Sequence, residues 1–268
     1  MLCRGARRGL AEWLRSLIPQ AGLSEVDARA ALALLPGADL APPETVPDHE
    51  IRMLGILHAR ARGAAVFEGA GRRKSDELLA FLVLQRGAPL SRDRIAAALW
   101  PGDDQGRTTS RFHVAMHRLR RDVAGVPWLS LRRSDAGYSV QLPRGCRIDA
   151  LEFEELAGLT TRALHEGRSD DATTLARRAL ALCAGPFLAG CHSEWVRSRR
   201  ERIDRIACDL ARELGRLELQ AGRREEARRA AEFVLARDQS DETAKRVLVD
   251  ATGPRYRSGR SDDAATSH

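Results

Sequence analysis

Lysine is almost absent from this sequence, and features typical of exported or metal-binding proteins are missing too. Lys74 and Lys245 are the two lysines, so nearly all of the 44 basic residues are arginine. The five cysteines are scattered and odd in number, which argues against a disulfide framework. Cys183 and Cys191 do not have the spacing of a common zinc site. We therefore expect no bound metal and a reducing cytoplasm as the compartment.

Long apolar runs and catalytic motifs are also lacking. No apolar stretch approaches the roughly 18 residues that a membrane span needs, so we expect no membrane partner. The basic N-terminal stretch is interrupted by Glu12 and Arg15, which excludes a signal peptide. The segment GAGRRKS at 69–75 lacks the glycine that precedes the lysine of a phosphate loop. We expect no enzyme, no catalytic residue and no cofactor.

The positive charge is concentrated in one part of the chain. The net charge of +7 and the pI of about 9.8 are compatible with a polyanionic partner. The codon bias of a GC-rich genome also produces a composition rich in arginine and alanine, so the net charge alone is weak evidence for a polyanionic partner. Seven arginines and a single acid, Asp122, lie between Arg107 and Arg133, whereas acids and bases are mixed from 150 to 250. The local imbalance, and not the total charge, indicates an anion-binding surface.

Hydrophobic periodicity divides the N-terminal half into short elements. In chain order we expect helices at 8–18 and 24–35, a proline-rich linker at 36–49, strands at 51–58 and 64–67, three helices, and a hairpin at 128–142 with its turn at 134–137. Ser75 and Ser91 are predicted to cap the first and second of the three helices, and the third begins near Arg107.

The third helix, with the stretch RTTSRFHVAMHRLRR, has two different faces. Its predicted apolar stripe consists of Phe112, Ala115, Met116, Leu119 and Val123. A helix fits the major groove of DNA, and arginine can donate two hydrogen bonds to a guanine or bind a phosphate. We expect the hairpin tip to reach the neighbouring backbone or minor groove. The predicted DNA-binding residues are Arg107, Thr109, Ser110, Arg111, His113, Val114, His117, Arg118, Arg120, Arg121, and, at the tip of the hairpin, Arg132 and Arg133.

Two other interpretations of this helix remain open. The first is a solvated, arginine-rich surface helix in an arginine-rich protein. The second is a metal-binding helix, because His113 and His117 are four residues apart. A metalloprotease helix has glutamate directly after its first histidine, whereas this chain has Val114, which weighs against metal binding.

A short sequence recurs in the C-terminal half. GRSDDA occurs at 167–172 and again at 259–264, and GRREEA lies between them at 222–227. Each begins with a glycine that can end a helix, and the first two continue into similar alanine- and leucine-rich runs. Such spacing is typical of helical-hairpin repeats of the tetratricopeptide (TPR) type, with an insertion in the first gap. Stacked repeats offer a concave protein-binding surface.

Several segments together resemble one known family. HVAMHRLRRDV followed by the GYSV hairpin resembles the OmpR-type winged helix, and LLAFLVLQRGAPLSRDRIAAALWPG resembles the Streptomyces antibiotic regulatory protein (SARP) family. RIDALEFEELAGL and ARRALALCAGPFL extend the similarity into the bacterial transcriptional activator domain (BTAD). The resemblance implies a mainly α fold with a small β component: an N-terminal extension at 1–49, a winged helix-turn-helix domain at 50–145, and an all-α, TPR-like BTAD at 146–268.

The same resemblance implies a function. SARP regulators are cytoplasmic activators that bind double-stranded DNA at tandem direct repeats, recruit RNA polymerase and can pair as homodimers on DNA. By this similarity Arg118 and Arg120 match the groove and phosphate arginines of the recognition helix. Ser-Asp-Ala stands where relatives often have a basic residue before the wing, which shifts the expected wing contact to Arg132 and Arg133. The alternative is a TPR-like adaptor whose winged helix does not read DNA.

Overall fold

The computed structural model describes residues 47–71 and 73–253. The chain divides into two compact units between Leu210 and Ala211, and each is described by itself. The helices expected at 8–18 and 24–35, most of the linker, and the third copy of the repeated sequence at 259–264 lie outside the described residues. None of the helices in the described part combines the length and apolar composition needed to cross a bilayer.

The first unit begins with a small sheet. Its strands are β1 (His49–Arg52), β2 (His58–Ala61), β3 (Ala64–Glu68) and β6 (Arg147–Ile148), in the order β3-β2-β1-β6. The first three are antiparallel, and β6 pairs with β1 in parallel.

The single strand expected at 51–58 is wrong, because β1 ends at Arg52 and a loop precedes β2. Gly55 in that loop has φ +136°, a backbone conformation that a continuous strand does not adopt. The apolar run that suggested one strand contains Leu54 and Leu57, which lie in this loop and have buried side chains.

Three helices follow the sheet: α1 (Lys74–Val83), α2 (Arg92–Leu99) and α3 (Gln105–Asp122). The Ser91 cap of α2 is confirmed, since its hydroxyl accepts the Arg94 N–H. The Ser75 cap of α1 is wrong. Arg73 occupies the N-cap position, and the buried Ser75 hydroxyl instead donates to Asp122 at 3.3 Å. This contact joins residues 47 positions apart, which local capping patterns do not reveal.

Helix α3 begins two residues earlier than predicted because Asp104 caps it. The Asp104 carboxylate accepts the Arg107 N–H at 2.9 Å. The predicted apolar stripe is confirmed as core, with every member at most 6% exposed: Phe112, Ala115, Met116, Leu119 and Val123. Burying each large member of this stripe contributes about 1.5–3 kcal/mol, so the stripe fixes which face of α3 meets solvent.

A β-hairpin, β4 (Ser130–Ser134) and β5 (Gly137–Gln141), follows α3. Its predicted turn at 134–137 is confirmed, although β4 begins at Ser130 and not at 128. Leu90, just before α2, exchanges backbone hydrogen bonds of 2.9 and 2.8 Å with Tyr138. Gly137 has φ +127°, and a Cβ there would lie 2.0 Å from the Leu90 carbonyl oxygen, so this position requires glycine.

The remainder of the first unit is helical. Helices α4 (Asp149–His165) and α5 (Ser169–Leu182) form an antiparallel hairpin, and α6 (Glu194–Gln220) follows after a loop. The loop packs against the sheet region, where its Leu188 and Ala189 N–H groups donate to Met53 and Gly55 carbonyls, both at 2.8 Å. The Arg200 guanidinium of α6 also donates hydrogen bonds to this loop, at the carbonyl oxygens of Phe187, Leu188 and Cys191.

Asp149, the first residue of α4, connects this helix to the end of β1. Its buried carboxylate accepts the N–H groups of Met53 at 2.8 and 2.9 Å, Leu54 at 2.9 Å and Ala150 at 2.6 Å. Burial, the largest effect, together with the nearby Glu50 raises the pKa of Asp149 to about 6, against the opposing effect of these N–H donors. The boundary at 145/146 stays a prediction, but a chain cut there would lose β6 and this carboxylate.

The second unit comprises residues 211–220 of α6, α7 (Arg224–Leu235) and α8 (Glu242–Thr252). Gly215 lets α6 approach α8 closely, since a Cβ at this position would lie 3.0 Å from a Val247 methyl. Arg212 and Asp241 form an ion pair at 2.6 Å.

The two described copies of the repeated sequence form matching turns. Gly167 and Gly222 have φ +69° and +73°. The N–H groups of the following Arg168 and Arg223 each donate at 2.8 Å to a carbonyl five residues earlier. The fold is therefore mainly α with a small β component, a winged helix-turn-helix followed by TPR-like helical hairpins.

Candidate nucleic-acid interface

The outward face of α3 carries nearly all of its predicted DNA-binding side chains. Val114 is the most apolar of them and is 63% exposed. Thr109 is half-buried. The other predicted residues of this helix are exposed: Arg107, Ser110, Arg111, His113, His117, Arg118, Arg120 and Arg121.

The arginines of α3 differ in whether a carboxylate accompanies them. Within the part of the chain that the structure describes, Arg118, Arg120 and Arg121 make no ion pair and no side-chain hydrogen bond. By contrast, Arg111 contacts Asp103 at 2.5 Å and Arg107 approaches Asp104 at 3.7 Å. The C-terminal half of the exposed face therefore has three uncompensated guanidinium groups within four residues.

A shallow depression runs along the exposed face of α3. It is lined by His113, Val114, His117, Arg118 and Arg121. A valine between cationic and imidazole side chains offers an apolar contact beside hydrogen-bond donors. That combination suits a DNA base edge, where a thymine methyl and polar atoms lie side by side.

Arg120 lies on the side of α3 that faces the start of the hairpin. It borders a second depression with Val123, Val126, Leu129 and Leu131, apart from the first one. Arg120 and Arg118 therefore lie on different sides of α3. A side chain in this position extends laterally from a helix seated in a groove, toward the phosphate backbone.

Arg132 and Arg133 are on the hairpin, but the expectation that they form its tip is wrong. Both lie in β4, where Arg132 pairs with Ser139 and Arg133 with Tyr138, and the chain turns beyond them at 135–136. The ladder continues to the Ser134–Gly137 pair, so both arginines lie within the strand. Arg132 donates to Gln141 at 3.1 Å, and the Arg133 guanidinium lies 5.8 Å from the centre of the Tyr138 ring.

Tyr138 also connects the hairpin to α3. Its ring lies 5.1 Å from that of Phe112 in an edge-on arrangement. The hairpin therefore contacts the buried stripe of α3 close to its turn. This contact fixes the position of Arg133 relative to the exposed face of the helix.

Asp103 and Asp104, at the turn before α3, were missed as residues that shape this site. The capping role of Asp104 has a sequence signal, an acid just before an amphipathic helix. Asp103 reaches Arg111 eight residues away, beyond the spacing of neighbours on one helix. Among the residues that the structure describes, no group of three or more His, Cys, Asp or Glu side chains could hold a metal ion.

Comparison with known proteins gives a consistent assignment for the second half of the chain. The family model of the bacterial transcriptional activator domain matches residues 148–268. The regulatory protein AfsR of Streptomyces coelicolor is 26% identical over 213 residues, which cover 79% of this chain and 20% of AfsR. The transcriptional regulatory protein EmbR of Mycobacterium tuberculosis is 27% identical over 140 residues, 51% of this chain and 35% of EmbR. The chain thus spans about a fifth to a third of the length of these relatives.

A solved structure has a similar fold. It is that of Mycobacterium tuberculosis EmbR in complex with a low-affinity phosphopeptide, with a TM-score of 0.61 and 21% identity. The match covers 77% of this chain and 55% of the EmbR chain. Together, the matches show that residues 148–268 resemble a bacterial transcriptional activator domain, and that the chain is similar in sequence to the regulators AfsR and EmbR and in fold to EmbR.

Proposed function

We propose that this chain binds double-stranded DNA in a sequence-specific manner, with α3 in the major groove and the β4–β5 hairpin against the neighbouring backbone. One observation carries the proposal. Arg118, Arg120 and Arg121 are exposed and lack carboxylate partners among the described residues, on a helix whose opposite face is fully buried. An adaptor that contacts protein through its helical hairpins would have no use for this concentration of free positive charge.

The two faces of α3 explain how such a helix would dock. The buried stripe anchors it to α1 and the hairpin, so the exposed face is presented rigidly. Arg118 and Val114 lie where side chains meet base edges, and Arg120, Arg121, Arg132 and Arg133 extend toward phosphates. Phosphate contacts fix the register of the helix in the groove, and base contacts supply the sequence preference.

The salt dependence of binding tests the proposal. About five to eight phosphate contacts per protomer predict a log–log slope of about −5 to −7 for the binding constant against salt concentration. Arg121→Ala should reduce the steepness of this slope by about one. Arg162→Ala is the matched control, because Arg162 is another exposed arginine, on α4 outside the candidate interface. A slope near zero on every duplex would remove DNA binding and leave the adaptor as the function.

The resemblance to SARP regulators supports the finer part of the proposal. On that basis the chain acts in the cytoplasm as a transcriptional activator that binds tandem direct repeats. The helical hairpins of the BTAD would then contact RNA polymerase, and two copies would bind side by side on the DNA. Footprinting on a site found by genome-wide binding gives the repeat spacing, and in vitro transcription gives the direction of regulation.

A further inference from the structure

Arg111 differs from the other arginines on the exposed face of α3 in the carboxylate that holds it. Its Nη1 atom lies 2.5 Å from Oδ2 of Asp103, whose side chain is only 18% exposed. Arg111 itself is half exposed. The neighbouring pair, Arg107 and Asp104, is longer at 3.7 Å, and both of its side chains are about two-thirds exposed.

Arg111 shares its face of the helix with Val114 and Arg118, which are placed to read base edges, and with Arg121, which is placed to contact a phosphate. Arg111, Val114, Arg118 and Arg121 are three and four residues apart, so they form one exposed stripe along α3. Arg111 lies in the N-terminal half of this helix, the part of a recognition helix that usually contacts base edges. Its position therefore favours a base contact as much as that of Arg118 does.

We infer that Asp103 is a specificity-determining residue that orients Arg111 to read a guanine, an inference that rests on the proposed DNA binding. The carboxylate engages Nη1 through a charge-assisted hydrogen bond. The Nε and Nη2 donors point away from that bond in the fixed fork of the guanidinium group. These two donors match the O6 and N7 acceptors of guanine in the major groove. Held in advance, the fork loses less conformational freedom when it meets the base.

A purely electrostatic role for Asp103 predicts a different behaviour. If the carboxylate only lowered the positive charge of α3, its removal would strengthen binding to every DNA sequence alike. Asp104 provides the comparison, since Asp104→Asn removes the same charge one residue away and asparagine still caps the helix. The two substitutions therefore separate orientation of one arginine from a change of net charge.

The experiment uses the full chain and a duplex that it enriches from a random pool. Dissociation constants are measured on this duplex and on its single-base-pair variants. In the wild-type protein one G·C pair should be preferred by about 5- to 150-fold. Arg111→Ala should abolish this preference, and Asp103→Asn should weaken it at least about threefold at that base pair alone. Asp104→Asn should strengthen binding to all duplexes by one common factor.

The double variant completes the test. In the Arg111→Ala background, Asp103→Asn should no longer change any base preference, because the side chain that it orients is gone. Equal strengthening on all duplexes by Asp103→Asn, or a uniform loss with Arg111→Ala, would overturn the orienting role and leave DNA binding standing. Failure of the wild-type chain to bind any duplex would instead overturn the proposed function. Thermal unfolding of each variant verifies that it is folded.

Discussion

The Asp149 carboxylate is expected to be a major source of stability in the first unit. In Asp149→Ala, the buried N–H groups of Met53, Leu54 and Ala150 lose their acceptor. Each buried donor left without a partner costs about 1–3 kcal/mol, and removal of a desolvated charge next to Glu50 offsets part of the sum. We expect a net loss of about 3–5 kcal/mol, a large fraction of a typical total of about 5–15 kcal/mol.

Asp149→Asn should be milder. Its amide oxygen can still accept two of the N–H groups, while the third faces an amide nitrogen, so we expect a loss of about 1–3 kcal/mol.

Urea unfolding of the full chain, followed by tryptophan fluorescence, measures these losses. With a slope of about 2–3 kcal/mol per M, the midpoint of Asp149→Ala should fall by about 1–2 M. Asp135→Ala, in the exposed turn of the hairpin, is the control and should change stability by less than about 0.5 kcal/mol. If the two alanine variants unfold at the same urea concentration, the connection through Asp149 contributes nothing and the reasoning is wrong.

Three further predictions follow from other features. Burial raises the folded-state pKa of Asp149 from 3.8 to about 6, so its contribution to the free energy of unfolding increases as the pH falls through 6 and is lost as the pH rises. Relative to Asp149→Asn, the free energy of unfolding of the wild type should increase by about 1.4 kcal/mol between pH 7 and pH 5. A difference between the two proteins that does not change with pH would contradict this prediction. Arg118→Ala should reduce the binding free energy on cognate DNA by about 1–3 kcal/mol and remove the preference at one base pair, whereas Arg120→Ala should weaken binding to cognate and scrambled duplexes alike. If Arg118→Ala loses the same affinity on both duplexes, Arg118 contacts a phosphate and not a base. Gly137→Ala should displace the hairpin from Leu90 and weaken DNA binding, while Ala136→Gly, one residue earlier in the exposed turn, should bind nearly as the wild type does; a bound complex unaffected by Gly137→Ala would show that the hairpin does not contact DNA.

Local features of this chain were predictable where one element sufficed to determine them. The two faces of α3, the Ser91 cap and the turn before Gly137 all follow from side-chain periodicity or turn chemistry within a few residues. Contacts between distant parts of the sequence were not predictable. The pairing of β6 with β1, the acceptance of the Met53 N–H by Asp149 and the Ser75–Asp122 contact connect residues 47 to 97 positions apart.

The candidate site divides in the same way. Exposure of the predicted residues on α3 follows from its amphipathic pattern. Whether each arginine forms an ion pair does not follow from that pattern, because it depends on whether a carboxylate from outside the helix lies close enough. Arg111 and Arg118 look equivalent in the sequence, yet only the former has an acidic partner in the described structure.

The matching turns at Gly167 and Gly222 bear on how this protein can evolve in length. Each turn closes with hydrogen bonds from its own neighbourhood, so duplication or deletion of a whole helical hairpin leaves the local bonding of every other hairpin intact. The winged helix has no such freedom, since β6 must return to β1 after nearly a hundred intervening residues. Descendants of this sequence can therefore vary the number of hairpins beyond α5, and with it the helical surface area, while the winged helix keeps a constant size.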